Sequence, residues 1–424
     1  MQRAMLIGKN DIFTSDITTD NKHIVYPCEK MDKTKYATIE AIIDNSEKAI
    51  SFSNEINGSV IGDFEKSGDK MCHVSTFCYA DEKIFVSYYA NTSSDKENPN
   101  FQTARLAYAP VKAMNEKTII DIMSVGDDLL GHTVVQVYDT ILMQKNDESD
   151  NIYVLWTALI DDQYYRLYRI FNIKTEKLGE IKVNRFKVYD TVNDFSTSGI
   201  KNALACNGIG YKEMRSDIGI MQKLTTRTEN GLTYYYTGAY SGNFNCIIKS
   251  TDLITWEYVA QPDEGEGSFR NDTLWENAVY VLNDKAYYFV RQWQASIDED
   301  GNTIPGDNRN KWGSDYGILT CYNLLSKTWD KPVLVGDSQS RSDFIFFRNE
   351  LYLFHAPTDR NHIGILKIDR NNLENSTILL QADMKGSCFY PFVQYDNTGE
   401  KLCISYTVER KHIRISSFSL EKYI

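Results

Sequence analysis

Apolar residues along this chain alternate with polar ones or collect in runs of four to six. The 3.6-residue return of a helix face is almost absent, so the pattern predicts strands. Six short runs stand out, each rich in aromatic or branched residues and each opening after a polar turn. They are Lys83–Tyr88 (KIFVSY), Asn151–Trp156 (NIYVLW), Gly231–Tyr236 (GLTYYY), Lys285–Val290 (KAYYFV), Glu350–His355 (ELYLFH) and Lys401–Tyr406 (KLCISY). The turns before them read ADE, NDESD, TEN, LND, RN and DNTGE, and successive starts lie 51 to 80 residues apart. Further strand-like pairs follow, such as HIGILKID and STILLQAD after ELYLFH, making about four strands per unit. A turn and strand recurring at this period predict the blades of a β-propeller.

Six units begin between Gly58 and Ser387. Residues 1–57 hold further strand-like runs (HIVYP, YATIEAIID, KAISFS) and predict a first or closing blade, with residues 58–424 supplying six further units. HIRISSFSL near the C-terminus predicts a closing strand shared between the ends of the chain. No Gly/Ser/Pro-rich linker interrupts the 424 residues, and proline is scarce at 8. The expectation is one all-β propeller domain over residues 1–424, seven-bladed with six blades as the alternative, its active site at one mouth of the central channel.

A net charge of −12 opposes a nucleic-acid partner, whose phosphates need a basic face. No apolar run approaches the roughly 20 residues of a membrane span, and MQRAMLIGKND lacks the apolar segment of a leader. The expectation is a cytoplasmic protein with no membrane partner; the alternative is a secreted or periplasmic one whose leader has been removed. Eight cysteines without a CxxC pair, mostly inside strand-like runs, read as small core residues of a reducing compartment. The six histidines form neither HxH nor HxxxH, so spacing predicts no metal site and no cofactor, with a structural cation such as calcium left open.

Candidate chemistry comes from comparing the blades. Two inner strands nearly repeat, Arg215-Ser-Asp-Ile-Gly-Ile-Met and Arg341-Ser-Asp-Phe-Ile-Phe-Phe. In the same register the other blades place His73, Tyr138, Glu276 and Tyr390 at the mouth. Two guanidiniums facing one channel repel each other unless an anion joins them, so Arg215 and Arg341 point to an anionic ligand. Histidine, carboxylate and tyrosines beside them supply proton donors and acceptors. In the competing arrangement the arginines pair with Asp217 and Asp343, two residues on in each strand.

The stretch Trp275-Glu276 to Arg291 resembles the Glu-to-Arg strand pair of the sialidase superfamily, in which a glutamate opens an inner strand and an arginine ends the next. Arg341 and Tyr390 follow in the order of that family's third arginine and its tyrosine nucleophile. Ser250-Thr-Asp252-Leu-Ile-Thr-Trp256 resembles its Asp-box, and also the DLxxW turn of five-bladed furanosidases. The family's N-terminal arginine motif has no counterpart, since that region reads HIVYP, and no aspartate acid follows it. The N-terminal half points elsewhere: His73, Tyr88-Tyr89-Ala-Asn91 and Phe101-Gln-Thr-Ala-Arg105 resemble seven-bladed polysaccharide lyases and rhamnosyl-glucuronate-cleaving propellers. That second resemblance implies a histidine and a tyrosine as base and acid, with arginines on a uronate carboxylate.

β-Elimination at a uronate would use Arg215 and Arg341, with Arg270 or Arg291, on the carboxylate, His73 as base, and Tyr138 or Tyr240 as acid. Sialidase-type hydrolysis would use Tyr390 sharpened by Glu276. A furanosidase would need two carboxylates from among Asp139, Asp217 and Glu276. The expectation is an enzyme, a lyase or a glycoside hydrolase, cleaving an anionic oligo- or polysaccharide, with Trp275 and Tyr240 as further substrate contacts. A non-catalytic sugar-binding propeller is the remaining alternative; it requires no convergent acid and base.

Overall fold

All six recurrent runs occupy the same place, the second strand of a four-stranded antiparallel meander. The computed structural model describes residues 25–26, 33–39 and 59–420, apart from 147, 149, 213, 215–216, 243, 263–273, 293–313, 339, 357–359 and 385. Blade I runs Met71–Ala80, Lys83–Asn91, Gln102–Pro110 and Thr118–Ser124. Blade II begins with His132–Met143, Asn151–Ile160 and Gln163–Asn172, and blade III centres on Leu232–Ser241, Phe244–Ser250 and Thr255–Ala260. Blade IV is built on Leu274–Leu282, Lys285–Gln292, Ser314–Asn323 and Val333–Ser338. Blade V is Asp343–Phe347, Glu350–His355, His362–Ile368 and Thr377–Asp383.

Blade VI takes Cys388–Tyr395, Leu402–Val408 and His412–Phe418 from the C-terminal end and Val60–Asp63 from the other, so its last strand is the predicted shared closure. Each sheet packs on the next and blade VI packs on blade I, which closes the ring. Closure also explains where the core lies. Six hydrophobic clusters fill the six interfaces between blades, from Phe85 and Trp156 between I and II to Phe77 and Ile413 between VI and I.

The described residues make six large sheets, and the seven-blade count is unconfirmed. The described pieces of residues 1–57 attach to other elements. Thr38–Ile39 adds in parallel to Val333–Ser338 at the edge of blade IV, and Val25–Tyr26 pairs with Tyr211–Lys212. The Asp-box resemblance is realised as a turn between the last two strands of the blade III meander. Asp252 Oδ1 accepts from the Ile254 and Thr255 amides at 2.8 and 2.7 Å, and Trp256 is buried. Asn323 and Asp369 cap the equivalent turns of blades IV and V through their side-chain oxygens.

Among the described residues one α-helix, Thr197–Cys206, is capped by Ser196 and packs its Ile200, Ala203 and Leu204 into the cluster between blades II and III. Five cysteines (72, 246, 321, 388 and 403) are buried, as core residues would be. Among the described residues no helix is long and apolar enough to cross a membrane.

Candidate active site

The inner strands of blades I, II and VI each carry a two-residue bulge at the same height. Residues 74–75 oppose Tyr88, 139–140 oppose Trp156, and 390–391 oppose Tyr406. The first residue of each bulge, Val74, Asp139 and Tyr390, has φ near +54° to +55°. Left-handed backbone costs a non-glycine residue about 1–3 kcal/mol, and a bulge re-aims the side chain it carries. All three line one cavity of about 230 Å³ at a mouth of the channel. Blade IV has its own bulge, which sets Trp275 and Glu276 opposite Arg291, and these also line the cavity.

The cavity is organised by a run of alternating buried charges. Arg291 Nη1 lies 2.5 Å from Glu276 Oε2, and Arg341 grips Glu276 Oε1 through Nε at 3.0 Å and Nη2 at 2.7 Å. The same Arg341 Nη2 is 2.7 Å from Asp139 Oδ1, and Asp139 Oδ2 is 3.1 Å from Arg166 Nη1. Tyr390 bonds Glu276, lies 3.4 Å from Arg291 Nη1, and carries the Arg341 guanidinium over its ring at 4.7 Å. Burial opposes the Glu276 charge, yet Arg341 and Arg291 hold its carboxyl below the usual range. Burial, with Glu276 beside it, pushes the Tyr390 phenol up to about 12. Arg360 lines the same cavity, and burial together with Arg291 lowers it to about 10.

The structure brings Glu276, Arg291, Arg341, Tyr390, Tyr138, Tyr240 and Trp275 into this one cavity. Arg215 and Arg270 lie outside the described residues. Three expectations change. The anion that joins Arg341 to a second arginine, Arg291, is the protein's own Glu276, so convergence alone is no sign of a ligand. Asp343 pairs with Lys223 at 3.0 Å rather than with Arg341. His73 does not line the cavity: fully buried, it packs against Tyr390 with ring centres 4.4 Å apart and the ring planes tilted by 37°. Burial and four arginines hold its imidazole well below its ordinary pKa.

The reason for the His73 error is the bulge. Sequence comparison sets His73 and Tyr138 level with Tyr390, whereas the left-handed residues at that height are their neighbours Val74 and Asp139. The other lyase-like residues serve the scaffold. Arg105 is buried against Asp69 at 2.9 Å and against Asp121, Tyr88 bonds the Lys66 amide, and Asn91 caps its own loop. Tyr89 alone of that set lines the cavity, donating to Glu97 at 2.5 Å. Glu97 in turn pairs with Arg410. Blade alignment set Tyr138 rather than Asp139 at the mouth, Asp139 entering only as a candidate furanosidase carboxylate, and it passed over Arg166, Arg360 and Arg410. Arg360 and Arg410 sit outside the strands, where blade alignment has no register.

Three donors of cavity-lining residues are orphaned. Arg341 Nη1, Arg291 Nε and Tyr138 Oη are buried with no hydrogen-bond partner among the described residues. Buried donors in this condition cost free energy until a ligand or water meets them.

Comparison of the whole fold gives a consistent answer. The Trypanosoma rangeli sialidase in complex with sialic acid superimposes with a TM-score of 0.52 at 12% identity, covering 90% of this chain and 59% of that one. The Hadza microbial sialidase Hz136 gives 0.57 at 11% identity, covering 87% and 69%.

The fold is a sialidase-like β-propeller.

This chain spans about three fifths of the length of the Trypanosoma rangeli sialidase. The GH93 α-L-arabinofuranosidase of Fusarium graminearum in complex with arabinobiose is also similar, with a TM-score of 0.49 at 10% identity over 87% of this chain and 99% of that one. Neither a protein-family model nor a curated protein sequence matches the chain.

Proposed function

We propose that the chain is a glycoside hydrolase of the sialidase type, releasing an anionic sugar through a covalent bond to Tyr390. The observation that carries this reading is the Tyr390–Glu276 pair, buried at the cavity wall and clamped by Arg291 and Arg341. Tyr390 Oη attacks the anomeric carbon as its proton passes to Glu276, and the leaving oxygen takes a proton from Asp217, which lines the same cavity. Water activated by Asp217 then breaks the tyrosyl–sugar bond and the proton returns from Glu276. Asp139 is not chosen as the acid, because each of its oxygens already faces a guanidinium.

A tyrosine suits an anionic substrate because, unlike a carboxylate, it does not repel the sugar's own charge while attacking. Arg341 Nη1, Arg291 Nε and Arg360 supply donors for that charge. Elimination at a uronate is disfavoured, since its base would be His73, which packs against Tyr390 and does not line the cavity.

The test is a panel of aryl glycosides of sialic acid, of uronic acids and of neutral furanoses. Phenol release and the ultraviolet absorbance of an unsaturated uronate are followed together. Phenol from an anionic glycoside without the unsaturated product is expected, and Tyr390→Phe should lower kcat by about two orders of magnitude or more. An unsaturated product, or a fully active Tyr390→Phe variant, removes this reading.

A further inference from the structure

We propose that Arg166 and Asp139 are positioning residues that set the proton affinity of the Glu276–Tyr390 pair through Arg341. The proposal rests on the reading of Tyr390 and Glu276 as the reacting pair. Its physical basis is the alternation Arg166, Asp139, Arg341, Glu276, Arg291, five charges that are each at most 4% exposed. The chain crosses the channel, from the third and inner strands of blade II to the segment entering blade V and then to blade IV.

Arg166 is fully buried and does not line the cavity, so it has no route to a substrate. Its guanidinium holds Asp139 from behind. Nη1 donates to the Asp139 carbonyl at 2.7 Å, to Asp139 Oδ2 at 3.1 Å and to Thr157 Oγ1 at 3.0 Å, and Nη2 donates to the Ile220 carbonyl at 3.3 Å. It thereby fixes both the carboxylate and the backbone of a residue in left-handed conformation. Asp139 then competes with Glu276 for the same nitrogen of Arg341.

The groups facing Glu276 are Arg341, Arg291 and Tyr390, with Tyr240 and Arg360 also within its field. Those facing Asp139 are Arg166, Arg341, Tyr240 and Tyr138. Buried charges escape most salt screening, so each member is felt by the next.

Alternation makes a signed prediction. Asp139→Asn removes a negative neighbour and leaves Arg341 to Glu276 alone, so Glu276 should titrate at lower pH. Arg166→Met removes a positive charge and leaves Asp139 drawing harder on Arg341, so Glu276 should titrate at higher pH. Simple loosening of the site moves both variants the same way, toward an ordinary carboxyl.

The experiment follows the Glu276 side-chain carboxyl by 13C NMR in the full chain labelled at glutamate, assigned with Glu276→Gln. The acidic limb of kcat/KM is recorded alongside. Shifts of about one pH unit in opposite directions are expected, with the wild-type position recovered in Arg166→Lys, which keeps the charge. Shifts of the same sign, or none, overturn the proposal. Should Arg166→Met not fold, Asp139→Asn decides by itself, because only a downward shift agrees with the alternation. A chain that cleaves no glycoside overturns the proposed function, while the carboxyl titration still decides whether the charge relay exists.

Discussion

Glu276, Arg291, Arg341 and Tyr390 were legible in the sequence because blade register and the resemblance to the sialidase Glu-to-Arg strand pair single them out. The bulge positions of Asp139 and Val74 were not, since a bulge inserts one residue and nothing in a run such as VYDTILM marks which neighbour turns inward. Gly219 is a quieter determinant of the same cavity. A Cβ there would overlap the Tyr240 ring and come 2.7 Å from Asp139 Oδ2. Backbone at blade III therefore lies against two cavity walls with no space to spare. Gly219→Ala should displace Tyr240 and Asp139, lowering stability by about 1–3 kcal/mol and kcat/KM by at least tenfold. Wild-type kcat/KM in this variant, measured beside its melting temperature, would show that neither wall needs its present position.

At the scale of elements, the second strand of every blade could be read directly. It is buried between neighbours, so it is a near-continuous apolar run, and a tight polar hairpin announces it. The helix Thr197–Cys206 was hidden, because its apolar positions in TSGIKNALAC are few and most of its stabilisation comes from the cluster it caps. Closure of the ring was anticipated from HIRISSFSL but not its partner, because Val60–Asp63 is only four residues long. The closing pair separates backbone from side-chain contributions. Arg414 holds Asp63 through two bonds of 2.7 and 2.8 Å, yet both side chains are about one third exposed, so Arg414→Ala should cost at most about 1 kcal/mol. Ile415→Pro, at a fully buried position of the same strand, should cost about 3 kcal/mol or more by removing a ladder bond and a core side chain. Denaturant midpoints that rank these two variants the other way would mean the salt bridge, not the strand pairing, fastens the ring.

Across the whole molecule the channel holds a second buried ion pair, further along the inner strands than the cavity. Blade III has a broken inner strand: Ile218–Ile220 and Thr225–Glu229 both pair with Leu232–Ser241, and the residues between them enter the channel. Lys223 in that break reaches Asp343 of blade V at 3.0 Å and the Val393 carbonyl of blade VI, while Asp343 Oδ2 accepts from the Val393 amide at 2.8 Å. Three blades are thus stitched across the axis by one ammonium and one carboxylate. Burial pushes Asp343 up from 3.8 to about 6 and pulls Lys223 down, so desolvation outweighs attraction on both sides of the pair. With its folded pKa raised, the native state binds the Asp343 proton more tightly than the unfolded chain does. The stability this group contributes is full below pH 3.8 and is lost as pH rises through about 6. Lys223→Met should sharpen that dependence, because Asp343 without its ammonium either stays protonated or sits charged and alone. Near pH 5 the variant should be close to wild type. Near pH 8 it should be destabilised by roughly 3–5 kcal/mol, and adding Asp343→Leu should restore most of the loss. Urea unfolding at the two pH values measures this directly. A loss that is the same at both, or that the second substitution does not relieve, would mean that Lys223 acts through packing on Phe392 rather than through charge.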